Sequence, residues 1–239
     1  MATTTLKKQS DFLQGMQGGI SIAIGYLPVA ITFGLLAKST GLQLYETVLM
    51  SLIVYAGASQ YIALSLITAG TGVIEIIFTT FIVNIRHFLM SASLSEKVED
   101  ESIWKKALYS FGLTDETFSV ASMKDGTVNA SYLFGLMLIA YASWVINSGI
   151  GYIIGASLPS TLQESMSIAL YAMFIGLLVP SLKKQRKVLY LAVLAAVFNS
   201  IFYATGRIST GWSIVLSTLI SAVAVEWFYM KYERKRENG

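Results

Sequence analysis

Cysteine is missing altogether, and histidine occurs once, at position 87. Without thiols there are no disulfides, no thiolate nucleophile and no cysteine-held zinc or iron–sulfur centre, and one imidazole cannot build a His-rich metal site. Proline is scarce as well, three residues in 239, so a proline inside an apolar run is a local event to explain. Charged residues make up only 13% of the chain against 54% hydrophobic ones, and mean hydropathy is +0.62. That leaves too little polar surface to cover a soluble globule. No Gly-x-x-x-x-Gly-Lys-Ser/Thr phosphate loop, His-Glu-x-x-His or clustered-aspartate motif occurs. No catalytic residue, metal or cofactor is expected, and the chain reads as a non-enzyme. The lysines and arginines sit outside the apolar runs, as in a membrane protein in contact with lipid, and form no nucleic-acid-binding face.

What is present is a series of apolar runs, each long enough to cross a hydrocarbon core of about 30 Å at about 1.5 Å per residue. Seven start near residues 18, 47, 73, 130, 165, 188 and 211. They predict an all-α polytopic membrane protein of seven to eight transmembrane helices in one domain, 1–239, with short cytoplasmic tails at about 1–14 and 231–239. The N-terminus has a basic start but no cleavage-like end, and is expected to be retained. Lys7 and Lys8, the 183–187 cluster, and Lys231, Arg234, Lys235 and Arg236 favour the cytoplasm, which asks for an even number of crossings. Ala107–Met123 is the candidate for the eighth, as a crossing or a re-entrant hairpin. It is expected to cross, so that Lys105 and Lys124 lie on opposite sides.

Polar residues inside these runs mark the candidate site, because an ionisable group in a membrane costs at least about 2.5–3.5 kcal/mol. The third run carries Asn84, Arg86 and His87. At about 100° per residue Thr80, Asn84, His87 and Ser91 form one stripe and Arg86 points away from Asn84, so two neighbours are needed. Arg86 as a snorkelling residue near a helix end and His87 as a packing residue are the alternatives. In the first run, Gly25 and Tyr26 precede Pro28, whose missing N–H predicts a broken or kinked span at Gly25–Pro28. In the second, Tyr55-Ala56-Gly57-Ala58-Ser59-Gln60 allows close backbone approach or unwinding, and Gln60 serves as helix-to-helix glue or as a ligand group. Between 107 and 123 lie Asp115 and Glu116. Phe111, Asp115, Phe118 and Ser122 would share one helical face, placing a carboxylate among rings as a proton carrier, or an interfacial helix would keep both acids in water. The last run has a ridge of Ser213, Ser217 and Ser221, suited to a helix of this chain or of a partner, and an interfacial Glu226.

The stretches GYLPVAITFGLLA (Gly25–Ala37), MSLIVYAGASQ (Met50–Gln60), TTFIVNIRHFLMSASL (Thr79–Leu94) and FGLTDETF (Phe111–Phe118) resemble the AzlC family, the large subunit of two-component branched-chain amino-acid exporters of bacteria. The resemblance implies a multi-pass protein of the bacterial inner membrane that exports valine, leucine, isoleucine and methionine with a small AzlD-type membrane subunit. A passive channel or a scaffold subunit is the alternative. The residues themselves place the amino-acid substrate among Gly25, Tyr26, Pro28, Tyr55, Gln60, Asn84 and Arg86, with Asp115, Glu116 and His87 as proton-coupling groups.

Overall fold

In a computed structural model, residues 10–157 and 185–237 are described together with isolated positions in between. The predicted span Ser165–Leu182 lies outside the described residues. Nine α-helices occur among those that are described: α1 (Asp11–Ser39), α2 (Leu44–Ile53), α3 (Gly57–Thr68), α4 (Val73–Ser95), α5 (Ile103–Phe111), α6 (Asp115–Met123), α7 (Ala130–Ile154), α8 (Arg186–Thr205) and α9 (Thr210–Glu237). Five of them, α1, α4, α7, α8 and α9, are long and apolar enough to cross a membrane. Contacts divide the chain into two compact units, Met1–Tyr61 with Asn84–Ser167, and Ile62–Val83 with Ile168–Gly239.

The first unit is built on α1 and α7, which run parallel and touch backbone to backbone. Ser10 and Asn129 cap the two helices, and Asn129 Nδ2 donates to Asp11 Oδ2 at 2.6 Å, so both start at one end. Glycines hold the two axes close: a Cβ on Gly15 would stand 2.0 Å from the Tyr132 carbonyl oxygen, on Gly34 2.0 Å from that of Ser148, and on Gly151 2.1 Å from that of Ile31. Small residues allow such approach where lipid offers no hydrophobic drive between helices.

This packing also explains why the first span is not interrupted. The helix α1 runs unbroken through Gly25 and Pro28, contrary to the break expected there. An interior proline removes one hydrogen bond, and the contacts with α7 on both sides of it splint the helix across that gap.

The interruption lies in the second span instead. Expected as one crossing from Thr47 to Ala69, it is two helices, α2 and α3, separated at Val54–Ala56, where Tyr55 has φ +40°. The helix α2 descends antiparallel to α7: Ser51 Oγ donates to Ser148 Oγ at 2.8 Å, and Tyr141 donates to the Leu52 carbonyl at 2.8 Å. The chain then turns back. Gly57 lies under the Trp144 ring, and Tyr61 donates to the Val29 carbonyl at 2.7 Å, toward the end of α1 from which α2 came.

The segment 107–123 is likewise a hairpin rather than a crossing. The helices α5 and α6 have nine residues each, about 13.5 Å, too short to span. Their outer ends meet: Val98 and Val128 form a parallel bridge, and Lys97 Nζ donates to the Ser122 carbonyl at 2.6 Å and to that of Lys124. Phe111 and Asp115 therefore sit on different helices and share no face. The loop before α5 is solvated, with Lys105 paired to Glu101 and Lys106 to Asp100, whose carboxyl the ammonium holds below its usual range.

Each hairpin follows a long helix, and the spacing repeats. The helix α2 ends at Ile53 and α5 at Phe111, and α3 starts at Gly57 and α6 at Asp115, 58 positions apart in both cases. The two sets have opposite sense: from mid-length, α1 leads toward the outer end of the first hairpin, while α4 leads from Asn84 to Lys97 at the outer end of the second.

In the second unit, α8 and α9 form an antiparallel pair joined through Gly206 at φ +61°. Ser213 Oγ donates to Asn199 Oδ1 at 2.7 Å, and Lys187 pairs with Glu226, which is exposed. Glu75, in the first turn of α4, accepts from the Trp212 N–H at 3.0 Å and so caps the start of α9. The serine ridge of α9 is already buried in this chain, at 2%, 3% and 0% exposure for Ser213, Ser217 and Ser221, which takes it away from a partner.

Candidate functional site

The middles of three long helices and the tips of both hairpins converge in the first unit. Tyr26, midway along α1, packs edge-on to Trp144 of α7 with ring centroids 5.2 Å apart. Tyr55 at the first tip lies 4.8 Å from Tyr141 and 6.2 Å from Phe111 at the second. Asn84, midway along α4, accepts from Ser59 Oγ at 2.5 Å. Non-helical backbone at membrane depth has to be covered by protein or face water, and here the rings of α7 cover one side of both tips.

Arg86 is reached from the second tip. Its Nη1 stands 2.7 Å from Asp115 Oδ2, with the two side chains 33% and 25% exposed, and its Nε is buried without a hydrogen bond. This is a mid-helix ion pair and not a snorkelling cation, because the helix places Arg86 two residues beyond its centre, about 19.5 Å from one end and about 13.5 Å from the other. Arg86 and Asn84 do face different neighbours, as their angular separation requires.

Glu116 has a different environment. Its Oε2 accepts from the Tyr26 hydroxyl at 2.6 Å, and the Tyr26 oxygen lies 2.7 Å from Thr114 Oγ1. Thr114 starts α6: its hydroxyl accepts from the Thr117 N–H at 3.3 Å while the Thr117 hydroxyl accepts from the Thr114 N–H at 2.7 Å. Both acids thus sit in the first turn of a capped helix, where the dipole favours negative charge. His87 is half-buried and close enough to Glu116 to feel its charge.

Three of the sequence candidates are placed apart from this polar cluster. Gly25 and Pro28 are exposed on the other side of α1 from Tyr26, and nothing lies within 4 Å of a Cβ built on Gly25. Gln60 is completely buried and serves as glue: Trp144 Nε1 donates to its Oε1 at 2.9 Å, and its Nε2 donates to Ser51 Oγ at 3.2 Å. Sequence reasoning missed Trp144, Thr114 and Ser59 as members of the site. The Thr114-x-x-Thr117 pattern was the signal for the first half of this geometry, since it marks a helix start inside an apolar run. No group of three or more His, Asp or Glu side chains able to hold a metal occurs among the described residues.

The arrangement offers a guanidinium, two carboxylates, an amide and hydroxyls within an otherwise apolar and aromatic shell at mid-depth, the chemistry that a small zwitterion with an apolar side chain needs.

The AzlC protein family model matches residues 21–158. An uncharacterized membrane protein of Archaeoglobus fulgidus is 32% identical over 181 residues, covering 75% of this chain and 80% of its own. The inner membrane protein YgaZ of Escherichia coli is 28% identical over 226 residues, 91% and 92% of the two chains. The branched-chain amino acid transport protein AzlC of Bacillus subtilis is 27% identical over 172 residues, 70% and 66%. No solved structure matches. The matched region runs from α1 to the end of α7 and takes in every residue of the mid-depth cluster; this multi-pass membrane protein belongs to the AzlC family.

Proposed function

We propose that the protein is a secondary transporter that exports branched-chain amino acids, valine, leucine and isoleucine, with methionine as a further substrate, across the bacterial inner membrane in exchange for protons. The observation that carries this reading is the meeting of two oppositely directed hairpins at the polar cluster of Arg86, Asp115, Glu116, Tyr26 and Asn84. Helices interrupted at mid-depth and repeats of inverted sense are how secondary transporters build a site that opens to either side in turn. The Bacillus subtilis relative, a branched-chain amino acid transport protein, supports the substrate class.

In this reading the substrate carboxylate binds at Arg86, whose Nε is a buried donor without an acceptor, and at Asn84. The ammonium binds at Glu116 in the first turn of α6. The aliphatic side chain lies against Tyr55 and Phe111. Gln60 holds the first hairpin to α7 and so shapes the wall, while Gly25 and Pro28 contribute the outer face of α1 and no direct ligand. His87 and Asp115 tune the charge of the site. A small AzlD-type membrane subunit completes the transporter.

The charge pattern then orders the membrane crossings. With the N-terminus in the cytoplasm, α1, α4, α7, the 165–182 segment, α8 and α9 give six crossings and the two hairpins give none, so Lys97, Lys105, Lys106 and Lys124 join the basic cytoplasmic side. Efflux of labelled amino acids from preloaded vesicles, with and without a proton gradient, tests the function. Gradient-dependent efflux of valine, leucine and isoleucine is expected; equal leakage of all solutes down their own gradients would mean a channel.

A further inference from the structure

The two acids of α6 are neighbours in sequence but are held in opposite ways. Asp115 is committed to Arg86 at 2.7 Å, a permanently cationic partner. Glu116 takes part in no ion pair among the described residues. Its Oε2 receives the Tyr26 hydroxyl, which itself has the Thr114 hydroxyl at 2.7 Å, so a relay from α6 through α1 returns to the carboxylate. Such a carboxylate has an anchored position, no cationic partner among the described residues, and is half-buried at mid-depth.

The geometry points to Glu116 as the place where a proton and the substrate's ammonium group exclude one another, with Tyr26 as its positioning residue. This rests on the transporter reading. When Glu116 is a carboxylic acid, an arriving ammonium finds only the Asp115 carboxylate, which Arg86 already neutralises; binding requires the O–H bond to break, the proton passing to water and the electron pair remaining on the carboxylate. One ammonium in means one proton out. At the opposite face of the membrane the exchange runs backwards, which couples one amino acid outward to one proton inward. The ionisable groups near Glu116 are Tyr26 from α1, Tyr55 from the first tip, His87 from α4 and Asp115 on its own helix, with Arg86 behind Asp115. Among them Arg86 and Asp115 neutralise each other as a pair, and His87 is the competitor that the test has to separate.

The full-length protein in nanodiscs, with radiolabelled L-leucine as probe and valine, isoleucine and methionine in parallel, provides the test between pH 5.5 and 8.5. The probe's own ammonium and carboxylate do not titrate there. Leucine affinity of the unsubstituted protein is expected to fall about tenfold per pH unit below its midpoint, the signature of one displaced proton. Glu116→Gln should bind more weakly and with no pH dependence, while Asp115→Asn and His87→Gln keep the slope. Tyr26→Phe removes a hydrogen bond to the charged form and should move the midpoint up by about one pH unit, a readout that mere loss of packing does not give and that stands if Glu116→Gln fails to fold. A slope that survives in Glu116→Gln, one that vanishes in His87→Gln, or an unmoved midpoint in Tyr26→Phe overturns the assignment. Binding independent of pH in the unsubstituted protein also overturns it while leaving the transporter reading intact; failure to bind or move any amino acid overturns the transporter reading itself.

Discussion

Arg86 and Asp115 stand 2.7 Å apart although one belongs to the middle of a long helix and the other to the first turn of a nine-residue one. The pair therefore ties the second hairpin to α4 at the depth where water is scarcest. Removing one partner leaves the other charged and half-buried. Arg86→Gln or Asp115→Asn should each destabilise the protein by about 1–3 kcal/mol, discounted from the figure for a fully buried pair because the two side chains are 33% and 25% exposed. The double replacement Arg86→Met, Asp115→Leu should recover most of that stability and no transport. Thermal unfolding in detergent read beside vesicle efflux checks both; full activity in the double variant would remove the pair from the site.

Gln60 makes a different kind of contribution. With Trp144 donating to its oxygen and its own amide donating to Ser51, all within a buried cluster, it replaces polar contacts that the broken second span would otherwise lack. Gln60→Leu strands the Trp144 indole N–H and takes one of two hydrogen bonds from the Ser51 hydroxyl, which keeps Ser148, and should cost about 1–3 kcal/mol. The sign matters more than the size: a variant of unchanged unfolding temperature would show that the latch is not needed.

Much of the helix content was legible because long apolar runs have a single reading at membrane length. The helices α1, α4, α7, α8 and α9 fall where hydropathy puts them. The breaks were only partly legible, because the small residues after Tyr55 permitted unwinding without requiring it and the proline rule pointed to the first run. Pro28 is the strongest helix breaker in the first run, yet α7 splints it, whereas Tyr55 adopts φ +40° in a run with no proline at all. What permits that second break is the neighbour: Gly57 leaves room for the Trp144 ring, which sits 87 positions away and is invisible to any local pattern. Arg86 and Asp115 were each recognisable as membrane-depth charges in search of partners. That they partner each other depends on the hairpin, and the hairpin on the Thr114 and Thr117 cap inside a run whose hydropathy alone reads as one crossing.

The glycines of α1 sort into two classes. At Gly34 a methyl group would stand 2.0 Å from the Ser148 carbonyl oxygen, and backbone cannot yield, so Gly34→Ala should push α1 from α7 and abolish recovery of folded protein or lower its unfolding temperature by many degrees. Gly25 has open space around it. Gly25→Ala should raise stability by about 0.5–1 kcal/mol through helix propensity alone. Efflux by that variant also settles whether the outer face of α1 touches substrate: unchanged transport removes Gly25 from the binding residues.

The absence of cysteine makes the hairpin directly testable. If α5 and α6 enter and leave on one side, single cysteines at Lys105 and Lys124 should react with an impermeant thiol reagent from the same side of the membrane, and that side should be the cytoplasm because four lysines gather there. Tyr45, at the outer end of the first hairpin and 64% exposed, should as Tyr45→Cys react only from the opposite side. The three positions were chosen so that a simple crossing gives another pattern. A chain that crossed between 107 and 123 would split Lys105 from Lys124, and a chain that crossed once through both α2 and α3 would leave Tyr45 where it is but reverse α4. Labelling of Lys105→Cys and Lys124→Cys from opposite faces in right-side-out and inverted vesicles would therefore dismantle the paired-hairpin arrangement, and with it the inverted repeat on which alternating access at Arg86 and Glu116 depends.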